Sequence, residues 1–378
     1  MNHHAVTNRS LLTLILCASL AACSSVTLTP PAPVTTPVAP TVAPAPIPAS
    51  VAAPVTAPSA NPTTELRWPH STEFIDQMVS SQGFDRATLQ QVFEQLQYQP
   101  QVVQLMRPAP VGKPKNWNAY RARFVEPIRI NAGVRFWNQY AEQLTRAEAQ
   151  YGVPAEIIVA IIGVETVYGR NTGNFRVMDA IATLAFDYPD TPNRDARMRY
   201  FRGELENTLL FARQSNIDPL SLRGSYAGAI GWPQFMPGSI LKYAVDGDGD
   251  GRIDLRNSPA DAISSVANFL VQHGWKTGAP IVFPAKVSST NADWQAFIGQ
   301  GLKAGFPLAQ LKANGVLPQG EPTPSLSYGL VDLQNGRNPT EYWLGTDNFF
   351  VITQYNRSYF YAMAVVELSR AVRQKRGN

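Results

Sequence analysis

The chain has 378 residues, 44% of them hydrophobic, and a net charge of +4 from 32 basic and 28 acidic side chains. Such a chain can bury a large core, and its length allows two or three domains. The positive charge is mild and scattered apart from the stretch Arg370 to Arg376; with no basic helix or stacking module in view, a nucleic-acid partner is a poor reading and a polyanionic polymer a reasonable one.

Arg9 precedes an apolar run from Leu11 to Leu20, too short for a membrane span and suited to the core of a signal peptide. It ends Leu20-Ala21-Ala22-Cys23, which resembles the lipobox of bacterial lipoproteins. The resemblance implies a lipoprotein signal peptide over 1–22 and lipidation of Cys23; the alternative is an ordinary signal peptide with an incidental cysteine. Ser24, where retention in the inner membrane usually has Asp, implies the outer membrane and a protein facing the periplasm. The other cysteine, Cys17, falls inside the removed segment, so the processed chain has no disulfide and no thiolate metal site. Thr29 to Thr64 is mostly Pro, Ala, Val and Thr without charge, a composition that buries no core and favours extended polyproline II. Residues 23–64 therefore read as a lipidated cysteine plus tether, with a reach on the order of 100 Å. An SH3-type ligand is the other common use of such runs, and nothing in this compartment favours it.

Residues 65–378 read as the folded part. Ser71 can cap a helix carrying Phe74, Ile75 and Met78, with Gly83 placed to stop it. Asp85 caps the next, with Leu89, Val92, Phe93 and Leu96 at helical spacing. Prolines between Arg107 and Lys115 make a loop. Trp117, Tyr120, Phe124, Phe136, Trp137 and Tyr140 follow over a mostly helical segment; most read as packing, although Tyr and Trp in a groove also stack on sugar faces.

Ile157 to Arg170 reads IIVAIIGVETVYGR, a run without charge and then one carboxylate. Pro154 suits the first turn of this helix and Gly169 its end. Glu165 shares a face with Ile157, Ile158, Ile161 and Ile162 and lies half a turn away from Glu156. Burial there, together with the negative end of the helix dipole, disfavours the charged form, so a raised pKa and a general-acid role are expected. The other reading is a buried Glu paired with an arginine such as Arg170. Helices near Val177 to Phe186 and Arg199 to Arg213 follow.

Gly224 to Gly238, GSYAGAIGWPQFMPG, interleaves glycines and prolines with Ser225, Tyr226, Trp232 and Gln234. So many breakers exclude a long regular element and allow close approach to a ligand. A P-loop needs a Lys that is missing, and no Ser/His/Asp motif surrounds Ser225, so these polar residues read as binders. Asp246 to Asn257, DGDGDGRIDLRN, has Asp at positions 1, 3, 5 and 9 and Gly at 6 of an EF-hand-like loop, the oxygen-rich turn that hard cations require. Asn257 replaces the closing Glu, while Asp261 on a following helix could close the site; a solvated acidic turn without metal is the alternative. The Asp261 helix runs to His273 and Gly274. Shorter apolar runs, APIVFPAKV and YWLGTDNFFVITQYN, suggest a small strand-bearing region, and Asn356 and Ser358 precede a final helix with a basic end.

Taken in order, IIGVETVYGR, GSYAGAIGWPQFMPG, AVDGDGDGR with SVANFL and HGW, and QYNRSYFYAMAVVEL resemble the lytic transglycosylase B family, lysozyme-like enzymes that cut bacterial peptidoglycan. The likeness spans about Trp68 to Arg373. It implies an α+β, mainly helical fold: a lysozyme-like core with an EF-hand-like calcium loop (246–261), a flanking helical region and a small β region. It implies Glu165 as the single acid/base, Ser225 bonding near it, and Tyr120, Gln234, Asn356 and Tyr361 lining the saccharide groove. Asp246, Asp248, Asp250, Asp261 and the Arg252 carbonyl would bind a structural Ca2+. Thr191 to Ala196 looks like an insertion relative to the family.

The implied reaction cleaves the β-1,4 bond between N-acetylmuramic acid and N-acetylglucosamine in peptidoglycan glycan strands and forms 1,6-anhydromuramic acid. No partner acid is evident, since Asp179 and Asp187 read as structural. Two alternatives stay open, a muramidase-type hydrolase using the same site and a non-catalytic peptidoglycan-binding scaffold lipoprotein.

Overall fold

The structure, a computed structural model, describes residues 68–108 and 114–377. The expected signal peptide, Cys23 and the tether lie outside the described residues, as do positions 109–113 of the proline loop.

Caps and apolar stripes divide the first part into short helices. α1 (Ser71–Gln82) ends as expected on left-handed Gly83, and α2 (Arg86–Glu94) begins with Asp85 accepting from Thr88 N–H at 2.8 Å. Ser71 is not the cap of α1. That position is His70, at φ 63°, while the Ser71 hydroxyl turns back to donate to Trp68 O at 2.7 Å. Then come α3 (Pro100–Leu105), α4 (Trp117–Arg121), α5 (Pro127–Gln139) and α6 (Ala141–Tyr151).

α7 (Ala155–Thr166) carries no charged side chain between Glu156 and Glu165, and Ile158 to Ile162 are fully buried. A helix apolar on every face belongs in the middle of a core. Here α5, α6, α11 (Pro259–Gln272) and α14 (Tyr359–Arg376) all pack against it. Pro154 stands just before the helix as its N-cap, not within its first turn.

A second helical layer is built from α8 (Val177–Phe186), α9 (Arg194–Gln214) and α10 (Pro237–Tyr243), with α3 against α8. α9 starts earlier than its apolar stripe suggested, because Arg194 and Asp195 form its first turn and the Thr191 to Ala196 stretch leads directly into it. Two short strands, β1 (Phe175–Arg176) and β2 (Arg223–Gly224), pair antiparallel and bring the start of the glycine-rich loop beside α8.

The strand-bearing region is an antiparallel sheet of five strands in the order β4-β6-β7-β3-β5. It comprises β3 (Val282–Val287), β4 (Phe306–Pro307), β5 (Val316–Pro318), β6 (Ser327–Asn335) and β7 (Asn338–Gly345), with α12 (Leu308–Ala313) between β4 and β5. Its own small core holds Phe297, Leu311, Val316, Tyr328, Leu330 and Leu344. YWLGTDNFFVITQYN is only half strand. After Gly345 the chain turns into α13 (Asp347–Tyr355), where Phe349, Phe350 and Ile352 bury on helical spacing. The tip of the β6–β7 hairpin reaches the main body. Gly336 N–H donates to Lys115 O at 2.8 Å, and Asn118 N–H donates to Asn335 Oδ1 at 3.0 Å, so the sheet braces the helix that bears Tyr120.

No single described helix is long and apolar enough to cross a membrane. The buried centre of α7 gives a direct test of the packing. Ile161→Ala leaves a cavity in the buried centre of α7 and should lower unfolding free energy in urea by about 2–5 kcal/mol. A loss below about 1 kcal/mol would contradict the central position of α7.

Candidate active site

Glu165 stands in the last turn of α7, 8% exposed. The helix stops one residue later, earlier than Gly169 alone suggested, because Val167 (φ 51°) and Tyr168 (φ 60°) already take left-handed backbone ahead of Gly169 (φ 81°). A β-branched and an aromatic residue in that region carry backbone strain, which persists only where the surroundings over-determine it. Those surroundings include Trp232, whose ring lies so close to Gly169 that a Cβ there would come within 2.5 Å of it.

The Tyr361 hydroxyl, from the first turn of α14, donates to Glu165 Oε1 at 2.7 Å. Burial pushes Glu165 up to about 8, while the Tyr361 hydrogen bond pulls the other way. Among the described residues Glu165 forms no ion pair, so its partner is the Tyr361 hydroxyl and not Arg170. Tyr355 and Tyr361 stack with rings 6.3 Å apart at 11°, and burial and the Glu165 charge push both hydroxyls well above the ordinary tyrosine range. Tyr120 is pushed up by the same two causes and packs on Phe360 and Trp117. Glu165 thus faces three tyrosines drawn from α4, α13 and α14.

The remaining groove candidates sit on the loop side. Ser225 Oγ accepts from Ala229 N–H at 3.0 Å and closes a tight turn, so its hydroxyl oxygen is engaged within its own loop. Gln234 has left-handed backbone (φ 52°), and its amide nitrogen donates to Gly231 O at 2.9 Å and Thr172 O at 3.1 Å. Asn356, at the end of α13, has a buried Oδ1 with no hydrogen-bond partner among the described residues. Two residues the sequence reading passed over belong here. Tyr355 donates to Pro233 O at 2.6 Å, and Thr166, fully buried, donates to Trp232 O at 2.9 Å. The available signal was a polar residue on an otherwise apolar helix beside Glu165, and a tyrosine beside Asn356.

The acidic loop has the donors for a hard cation. Asp246, Asp248 and Asp261 each place a carboxylate oxygen within 4.8 Å of the others. Burial pushes the Asp261 carboxyl up against its backbone donors, and the Asp248 charge adds to the push, so a cation among these oxygens would relieve like-charge repulsion. Asp250 lies outside that trio, its Oδ1 accepting from Arg252 N–H at 2.8 Å. Asp254 instead caps the turn, accepting from Arg256 and Asn257 N–H. Asp179 and Asp187 are structural as expected: Asp179 pairs with Arg176 at 2.8 Å, and Asp187 accepts from Tyr98 and Arg194.

Comparison with known proteins identifies the family. A family model described as transglycosylase SLT domain matches residues 68–370. The membrane-bound lytic murein transglycosylase B of Escherichia coli is 44% identical over 312 residues, covering 80% of this chain and 82% of that protein. The soluble lytic transglycosylase SltB1 of Pseudomonas aeruginosa superposes with a TM-score of 0.74 at 45% identity, over 82% of this chain and 100% of that one. An Escherichia coli lytic transglycosylase solved in complex with calcium superposes with a TM-score of 0.73 at 43% identity, over 82% and 95% of the two chains. On this coverage and identity, the chain belongs to the transglycosylase SLT domain family of lytic transglycosylases.

Proposed function

We propose that the protein cleaves the β-1,4 bond between N-acetylmuramic acid and N-acetylglucosamine in peptidoglycan, with Glu165 as its single acid/base, and releases 1,6-anhydromuramic ends. The observation that carries this reading is a buried carboxyl in the last turn of α7, held by the Tyr361 hydroxyl, in a chain of the lytic transglycosylase family.

The substrate then supplies the nucleophile. Protonated Glu165 gives its proton to the glycosidic oxygen as the C1–O bond breaks. Ionised Glu165 next takes the proton of the muramic C6 hydroxyl while O6 bonds to C1, which restores the acid. Tyr361 holds the carboxyl through Oε1. Tyr120, Ser225, Gln234 and Asn356 line the groove, Asn356 Oδ1 accepting from a sugar amide or hydroxyl.

Asp246, Asp248 and Asp261, with Asp250 and the Arg252 carbonyl, hold a structural Ca2+ that neutralises the loop and takes no part in the chemistry. Cys23 anchors the protein to the inner leaflet of the outer membrane, residues 1–22 are removed, and residues 23–64 let the catalytic domain (65–378) reach the wall from there.

Mass spectrometry of sacculi treated with the tether-less protein should show muropeptides one water lighter than reducing ones, and none from Glu165→Gln. Reducing products would establish a muramidase instead, and binding without release a scaffold.

Glu165 keeps its proton in the fold up to about 8 but ionises near 4.5 when unfolded, so native stability declines as pH rises through that window. Glu165→Gln, which cannot ionise, should therefore gain in melting temperature over the unaltered protein between about pH 5 and about pH 8.5. A pH-independent difference rules out a protonated buried carboxyl. On the same basis kcat/KM should fall on the alkaline side with a midpoint near 8.

Calcium added to chelator-treated protein should bind with measurable heat and, at a hundred times Kd, add about 2.7 kcal/mol to stability. Asp261→Asn should abolish both effects. No heat and no thermal shift for the unaltered protein would leave the loop a solvated acidic turn.

A further inference from the structure

Two consecutive carbonyls of the glycine-rich loop accept hydroxyls from opposite sides of the site. Trp232 O accepts from Thr166 Oγ1 at 2.9 Å, and Pro233 O accepts from Tyr355 Oη at 2.6 Å. Thr166 directly follows Glu165, and Tyr355 stacks on Tyr361, whose hydroxyl holds Glu165. The contacts close a ring: Glu165, Tyr361, Tyr355, Pro233, Trp232, Thr166 and back to Glu165.

We infer that Thr166 and Tyr355 are paired positioning residues, which hold the Glu165 carboxyl and the Tyr361 hydroxyl in register by clamping the Trp232–Pro233 backbone between them. The inference rests on Glu165 being the acid and adds two residues to which no role has yet been given.

Three further observations show the clamp to be built. Thr166 Oγ1 also accepts from Gly169 N–H at 2.9 Å, so one hydroxyl ties both the strained turn after α7 and the loop. Its other possible acceptor, Ile162 O within the helix, is farther, at 3.3 Å. Trp232 is itself held from the far side, N–H to Leu255 O and Nε1–H to Arg256 O, each at 2.9 Å. The loop therefore cannot follow if either hydroxyl is removed. It stays with the end of the acidic loop, and the carboxyl is what shifts. A buried hydroxyl left without its acceptor, or a carbonyl without its donor, also costs about 1–3 kcal/mol, so the loss acts on geometry and stability together. The two must be separated in the test.

The experiment compares Thr166→Val, Thr166→Ser, Tyr355→Phe and the Thr166→Val/Tyr355→Phe double variant with Glu165→Gln, measuring kcat, KM and the alkaline midpoint of kcat/KM well below each melting temperature. Thr166→Val and Tyr355→Phe should each lower kcat about 10- to 100-fold, with KM unchanged within about twofold, the scale of a misplaced catalytic group. Thr166→Ser should recover kcat to within about threefold of the unaltered protein. The double variant should lose little more than the worse single variant, since either loss opens the same ring. The alkaline midpoint should move in the single variants, because the Tyr361 bond that tempers the Glu165 pKa is loosened.

Losses that multiply in the double variant, or that appear in KM with the midpoint unmoved, overturn the clamp. So does full kcat in Tyr355→Phe, a variant that keeps its ring and folds even where Thr166→Val does not. Anhydromuramic product from Glu165→Gln would instead sink the parent assignment, so the two failures are told apart.

Discussion

The constraint on which the site depends is a carboxyl group removed from water without a cation to meet it. Taken alone, Glu165 in the last turn of an apolar helix is a destabilising placement: desolvation and the helix dipole both resist its charge. The protein answers by keeping the proton, with the Tyr361 hydroxyl supplying one hydrogen bond. A proton held up to about 8 by burial is available to a leaving oxygen near neutrality, and the base left behind is strong enough to take one back. Packing energy and acid strength are set by the same apolar surroundings.

The rest of the architecture keeps those surroundings dry and rigid. α5, α6, α11 and α14 enclose α7, while the loop from Gly224 to Gly238 approaches its end closely enough that Gly169 admits no side chain beside Trp232. That loop is fixed behind by the end of the acidic loop, through Leu255 and Arg256. The small sheet acts at a distance, its hairpin bracing the helix that bears Tyr120. Each layer thus contributes one wall or one support to a single carboxyl.

Much of this was legible in the residues. Periodicity and caps located α2, α8, α11 and α14, and the apolar run around one carboxylate pointed to Glu165 before any geometry was known. What was not legible depended on contacts across the chain. Ser71 looked like a cap because its type favours that position, yet its hydroxyl found the Trp68 carbonyl instead. Gly169 looked like the end of α7, but the ring of Trp232 and the Thr166 hydroxyl stop the helix sooner. YWLGTDNFFVITQYN reads as one apolar run because a buried strand and a buried helix share that composition; the break at Gly345 decides between them. The acidic loop gave its pattern in full, Asp261 as its closing residue included, whereas the place of Asp250 outside the converging trio was not legible.

The hydrogen bond between Tyr361 and Glu165 joins positions 196 residues apart. Chains are made from the N-terminus, so α7 is complete while the helix that carries its partner does not yet exist. Contacts of such separation form late, after the loop closures that precede them. A nascent or truncated chain therefore contains the carboxyl but not the hydrogen bond that holds it, and the complete site arrives only with the last helix. For an enzyme whose substrate keeps the cell from bursting, that order of assembly is itself a form of restraint.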